Sequence, residues 1–230
     1  MSSALRYVIV NKSTAPELTP GALDQARSDL ESAHNTIFAP LWGVLPVDLF
    51  VGQPMKDART VELVDTLDDP EALAYHTVDA SGSPLLRIGL GALRANLAPG
   101  ETLLDALTKA ISHELFEASR NPFVAFFCFV AHADAMLAVE VCDPVQGGSF
   151  KHGASAISNF VLPAYFDAED LDGPFDYAGE LVAPLSCAAN GYQAWSDGTQ
   201  TFGDELPEHV RKHVAEHGRV AVAIATKAAA

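Results

Sequence analysis

Five consecutive residues, His113-Glu114-Leu115-Phe116-Glu117, combine the side-chain types that metal-assisted hydrolysis uses. His113 and Glu117 are four residues apart, so on a helix their side chains project from one face, a turn apart, and can reach one cation. Glu114 is rotated by one residue and can address a water on that cation rather than the cation itself. This is the logic of the His-Glu-x-x-His turn, in which the metal acidifies a water and the glutamate takes its proton. Here the second ligand is a carboxylate, Glu117.

At about 100° per residue, the stretch from Glu101 to Arg120 resolves into two helical faces. Glu101, Asp105, Thr108, Lys109, Ser112, Ser119 and Arg120 form a solvent face. Leu103, Leu104, Ala106, Leu107, Ala110, Ile111 and Leu115 form a core face. His113, Glu114 and Glu117 fall on the edge of the core face, beside Ala106 and Ala110. Burying two carboxylates and an imidazole together costs on the order of several kcal/mol without compensating charge or hydrogen bonds, and a divalent cation is the simplest compensation. Phe116 is the exception to the pattern, an apolar side chain on the solvent side, expected to cover a neighbouring loop.

Two acids downstream extend the candidate site. Glu140 stands in the apolar run Ala138-Val139-Glu140-Val141, where a solvated role is hard to assign, and Asp143 follows three residues later. Glu140 is a candidate third ligand. Asp143 is either a further ligand or the acceptor that holds the other ring nitrogen of His113. The competing reading is a helix end where partly solvated Glu114 and Glu117 pair with Lys109 or Arg120, with Glu140 an ordinary buried ion-pair partner. His76 and His132 read as structural histidines that serve a site only where the topology brings them near, and His152 as a substrate-side candidate in a loop. His209, His213 and His217 recur every four residues among Glu208, Arg211, Lys212 and Glu216, the pattern of a solvated helix face. The sequence carries no nucleophile-elbow motif and no phosphate-binding glycine loop.

The elements that must position these residues follow from periodicity and punctuation. Arg6 to Asn11 reads as a first strand, and Thr19-Pro20 to about Ile37 as a first helix, with Thr19 as N-cap and apolar Leu23, Ala26, Leu30 and Ala33 at helical spacing. Val47 to Val51, Thr60 to Val64, Ala74 to Val78 and Leu85 to Leu90 read as strands, the last two flanking the turn cluster Asp79-Ala80-Ser81-Gly82-Ser83-Pro84. Pro99-Gly100-Glu101 opens the long helix, and Asn121-Pro122 stops it. Phe123 to Val141 is expected to be a second helix, at least from Ala131, ending at Asp143-Pro144. Ala156 to Leu162 and Gly191 to Ser196 are strand-like, and Glu205 to His217 suggests a last helix. The expectation is a single α+β domain over 1–230: a small mixed sheet packed on an N-terminal helix and the active helix, core 6–144, with a loop-rich part over 145–230.

Composition narrows the partners. The chain has 230 residues, 49% of them hydrophobic, enough to bury a substantial core. Its formal charge of −16 repels phosphate backbones and anionic headgroups, which argues against nucleic acid and membrane as partners. The longest apolar stretch, Phe123 to Ala131, falls far short of the roughly 20 residues a membrane span needs, and the run Tyr7-Val8-Ile9-Val10 is too short for a signal-peptide core. Cys128, Cys142 and Cys187, widely spaced among apolar neighbours, suit reduced core thiols and a cytoplasmic location.

From residue 6 to 144, this order of elements and the His113-to-Glu117 turn resemble the zincin metallopeptidases, in particular those whose His-Glu-x-x-His helix is followed by a glutamate on a later helix. The resemblance implies zinc held by His113, Glu117 and Glu140, with Glu114 as general base. It departs at Glu117, where that family has histidine, and no glycine-and-histidine extension follows the motif, so the metzincin branch does not fit. One nitrogen with two or three carboxylates makes a harder site, which admits manganese, iron or calcium beside zinc. The chain is also similar to uncharacterised bacterial and phage-borne proteins with a His-Glu-x-x-Glu helix and a downstream glutamate followed by Asp-Pro. The expected function is a one-metal hydrolase acting through metal-activated water on a peptide or amide bond. A metal enzyme for a non-peptide small molecule, or a non-catalytic binding protein with an inert metal site, is the alternative.

Overall fold

The computed structural model describes residues 4–70, 72–130, 135–168 and 172–202. Contacts divide the chain into two units, one of residues 1–124 and 149–158, the other of 125–148 and 159–230. The stretch 145–230 is therefore shared between them. The anticipated helix at 205–217, with His209, His213 and His217, lies outside the described residues, as does His132.

In the first unit the buried run Tyr7-Val8-Ile9-Val10 makes β1 (Leu5–Asn11) a central strand. It is joined by β2 (Val47–Val51), β3 (Arg59–Val64), β4 (Ala74–Val78) and β5 (Pro84–Gly89) in the order β2-β1-β3-β5-β4. β1 runs parallel to β2 and β3, β3 runs parallel to β5, and edge strand β4 is antiparallel to β5. The β4–β5 turn forms as its sequence suggests: the Asp79 carboxylate accepts the backbone N–H of Ser81 at 2.8 Å and of Ser83 at 3.0 Å. The α+β class expected from the pattern is observed, a mixed sheet with helices.

Thr19 caps α1 (Pro20–Ala33) by accepting the N–H of Ala22, and the chain continues through a π-helical turn, His34–Phe38, into the short α2 (Ala39–Trp42). Leu90, expected at the end of β5, instead opens α3 (Leu90–Ala95). Thr102 caps α4 (Leu103–Arg120) at the N–H of Asp105, 3.0 Å away. Two residues assigned to the wet side of α4 are fully buried, Thr108 and Ser112. The reason is a hairpin returning from late in the sequence, β8 (Ser149–His152) and β9 (Ser155–Ser158), whose inner strand packs on α4. Ser112 satisfies its hydroxyl by donating to the Thr108 carbonyl at 2.8 Å, and it accepts the N–H of Ser158 at 2.8 Å. Buried Asp29 of α1 holds the hairpin turn, accepting from Ala154 N–H at 3.0 Å and Ser155 Oγ–H at 2.9 Å. Phe116 likewise is core rather than a loop cover: it is fully buried and stacked on Phe38, ring centroids 4.4 Å apart.

In the second unit, Phe123 to Val141 is not a helix. β6 (Phe127–Val130) and β7 (Ala135–Ala138) form an antiparallel hairpin with Phe129 opposite Met136. Phe127 and Phe129 point outward and Val130 inward, the period of a strand, and aromatic residues favour extended chain. β10 (Tyr192–Ala194) pairs with β11 (Gln200–Phe202), and Trp195 bridges to Leu137 of β7. The loops are organised by fully buried Asp176, which accepts from Asn159 Nδ2 at 2.7 Å, Leu181 N at 2.7 Å and Glu180 N at 3.0 Å. Among the described residues, no helix is long and apolar enough to cross a membrane.

His34 in the π turn carries a pH-linked consequence of the fold. The Asn35 side chain is oriented by two bonds to Val47, Nδ2 to the carbonyl and Oδ1 from the N–H, each 2.8 Å. Its Oδ1 therefore accepts from His34 Nδ1, 3.1 Å away, which leaves Nε2 to accept from Ser119 Oγ at 2.9 Å. Burial pulls the His34 pKa down from 6.5 to about 4. The unfolded chain thus takes up this proton first. The stability involved is intact above pH 6.5, declines below it and is lost as pH passes through about 4. Urea unfolding should show the wild type losing about 3 kcal/mol more than His34→Gln between pH 7 and pH 4. Equal losses in the two proteins would show that His34 is not the source.

Candidate metal centre

α4 turns His113, Glu114 and Glu117 inward because the residues around them, Ala106, Leu107, Ile111, Leu115 and Ala118, are all buried. His113 Nε2 stands 3.4 Å from Glu117 Oε2, the one-turn pairing expected from the four-residue spacing. The structure adds a partner from the sheet. His76, at the middle of β4, places Nδ1 3.1 Å from Glu114 Oε2 and 3.6 Å from Glu117 Oε2. The four groups form a zigzag of alternating carboxylate and imidazole: Glu114, His76, Glu117, His113. It is a dry corner: side-chain exposure is 6% for His76, 7% for Glu114, 4% for Glu117 and 14% for His113.

Strand pleating explains why His76 faces α4. Its neighbour Tyr75 lies opposite Arg87 and bonds to it on the other face of the sheet, whereas His76 lies opposite fully buried Leu86. The other ring nitrogen of His76, Nε2, is 3.3 Å from the backbone carbonyl of Asn121, at the C-cap of α4. A carbonyl and an ionised carboxylate both only accept, so His76 lies between acceptors on both sides, the Asn121 carbonyl at Nε2 and the Glu114 and Glu117 carboxylates at Nδ1. His76 is thus the site residue that sequence reasoning placed among structural histidines. Its signal was the alternation of β4, and that signal needs the sheet order to say which face meets α4.

The two cations of the plain helix-end reading make other contacts too. Lys109 Nζ donates to Glu101 at 2.8 Å, and the Arg120 guanidinium lies 5.7 Å from the centre of the Trp42 ring. His152, read as a substrate-side candidate, ends β8 with Nε2 2.9 Å from Ser32 Oγ of α1, a contact that fixes the hairpin. Glu140 and Asp143 belong to the second unit, and both are buried. Neither is on a helix of the kind anticipated. Glu140 lies two residues after β7 in irregular chain, and Asp143 opens a short 3-10 turn, Asp143–Val145. That turn is held closely: the Pro144 carbonyl accepts from Ala188 N–H at 2.8 Å, and a side chain at Gly191 would collide with it.

No family model, no curated protein and no solved structure matches the chain.

Carboxylates kept in a dry corner lower the stability of the protein whenever no cation compensates them. Glu117→Leu, in the presence of a strong chelator, should therefore unfold at a urea concentration equal to or above that of the equally treated wild type. A loss of more than about 1 kcal/mol would instead mark Glu117 as a net stabilising ion-pair partner.

Proposed function

We propose that the protein is a metal-dependent hydrolase of peptide or amide bonds, with His113 and Glu117 as ligands of a divalent cation and Glu114 as general base. The observation that carries this reading is the 3.4 Å approach of His113 Nε2 to Glu117 Oε2 within a corner that also buries Glu114. A bound divalent cation would supply polarisation of a carbonyl and acidification of a water. Glu114, one residue round the helix from His113, would take a proton from such a water and pass it to the leaving amine. A zincin-like fold is part of the proposal. Support for it comes from β1, the N-terminal helix α1, the other four strands of the mixed sheet and the His-Glu helix α4, met in that chain order. Zinc is the first choice of metal, with manganese, iron and calcium next, and a peptide or small molecule is the substrate class. Glu140 and Asp143 enter as further ligands on their sequence context alone.

A second reading, a non-catalytic protein stabilised by its metal, is favoured by one observation: all four side chains of the corner are nearly closed to solvent. Catalytic sites keep an open position for water and substrate.

Elemental analysis of protein purified without chelator should find close to one equivalent of a divalent metal, and its removal should lower the melting temperature by mass action. Less than a tenth of an equivalent, unaltered by adding metal back, would sink the proposal. Glu114→Gln should keep the metal and lose turnover against a mixed peptide library. If it changes neither, the non-catalytic reading stands.

A further inference from the structure

We infer that the outer face of the strands in the second unit is a docking surface for this chain's own C-terminal segment, which lays Leu206, Val210 and Val214 across Phe202, Met136 and Phe129. The inference is independent of the metal reading above.

Strand pairing defines the face. Leu137 of β7 lies opposite Trp195, both side chains are buried, and Ser196 N–H donates to the Met136 carbonyl at 2.8 Å. Through this bridge β7 stands beside β10. Side chains alternate along a strand, and Gln193 is buried with Trp195, so Met136 and Tyr192 share the opposite, outer side. Phe129 joins them across from Met136, with Phe127 two residues away. Phe202 joins them across from Tyr192, ring centroids 5.8 Å apart. Phe127 is 39% exposed, Met136 40%, Phe129 58% and Phe202 62%. No outward position of β6, β7, β10 or β11 carries a charge. Large apolar side chains gathered on one uncharged face mark a surface that another segment covers.

The sequence names the segment. The chain leaves this face at Phe202 itself, and residues 203–230, which lie outside the described residues, follow directly. Leu206, Val210 and Val214 recur there every four residues, one apolar stripe of the helix expected over Glu205 to His217. Glu208, Arg211, Lys212 and Glu216 fall outside that stripe.

The lengths agree as well. Leu206 is at most about 14 Å of chain from Phe202, and a helical stripe from Leu206 to Val214 is about 12 Å long. Strands spaced about 4.8 Å make β11, β10, β7 and β6 together about 14 Å across. The stripe can therefore run from Phe202 back to Phe129. A second copy of the chain is the poorer occupant. Its formal charge of −16 repels an identical charge, whereas the tether holds the segment at a local concentration of roughly millimolar.

The test uses the full chain with a photoreactive benzophenone side chain in place of Phe129, a position whose exposure leaves the core untouched. Irradiation should join it to the peptide that contains Leu206 to Val214, at the mass of a single chain. Val210→Asp combined with Val214→Asp should cut that yield at least about tenfold and raise the binding of a dye that reports exposed apolar surface. A product at twice the chain mass would overturn the inference and make a second copy the occupant. A folded protein that forms no link to residues 205–217, or a yield unchanged by the two aspartates, would overturn it as well. Should the Phe129 variant not fold, benzophenone at Phe127 gives the same reading with the same outcomes.

Discussion

Two carboxylates and two imidazoles occupy one dry corner between α4 and β4, and the architecture of the first unit is organised around keeping them there. Such a group is unstable in low dielectric unless positive charge lies among the oxygens, whether as protons on the rings or as a metal ion. A neutral imidazole carries a single N–H and can satisfy acceptors at one nitrogen only, whereas His76 meets acceptors at both. The corner therefore needs positive charge among its oxygens before any question of catalysis arises. Its apolar walls make the requirement strict, because every interaction in it is stronger than it would be in water.

The supporting structure has the character of a clamp with polar fasteners. Ser112 ties α4 to β9, Asp29 ties α1 to the turn before β9, and Phe116 stacks on Phe38 behind the helix. At the C-terminal turn of α4, His34 bonds Ser119 while Asn35 bonds β2, so the π turn links the helix to the sheet edge. π turns displace the residues that follow them relative to a regular helix, which suits a segment bonded on two sides at once. Ser112, Asp29 and His34 are buried polar groups with their bonds made, so each fixes geometry as well as adding stability.

How much of this was legible in the sequence varies with the range of the information needed. α4, its stop at Asn121-Pro122 and the inward aim of His113, Glu114 and Glu117 follow from local spacing, and the structure agrees with all three. Thr19 as a cap and the strands β1 to β4 were legible for the same reason. What failed depended on remote chain. Thr108 and Ser112 looked solvated because nothing near them announces a hairpin some forty residues later. The run from Phe123 to Val141 is apolar on all sides, so periodicity could not tell helix from strand, and its alanines tipped the reading toward helix. His76 belonged to neither face of anything until the sheet order set β4 at an edge beside α4.

The return of β8 and β9 to the first unit has a consequence for the order of events during synthesis. The chain leaves that unit after residue 124 and comes back only at 149–158. A nascent chain that has exposed α4 and the whole five-stranded sheet still lacks the strand that covers Thr108 and Ser112. Closing the unit then requires a loop of 24 residues, 125–148, to bring its ends together, a non-local step whose entropy is met before the contacts that reward it. The chain that forms the corner between α4 and β4 is made early, but the wall behind that helix is the last part of the unit to be made.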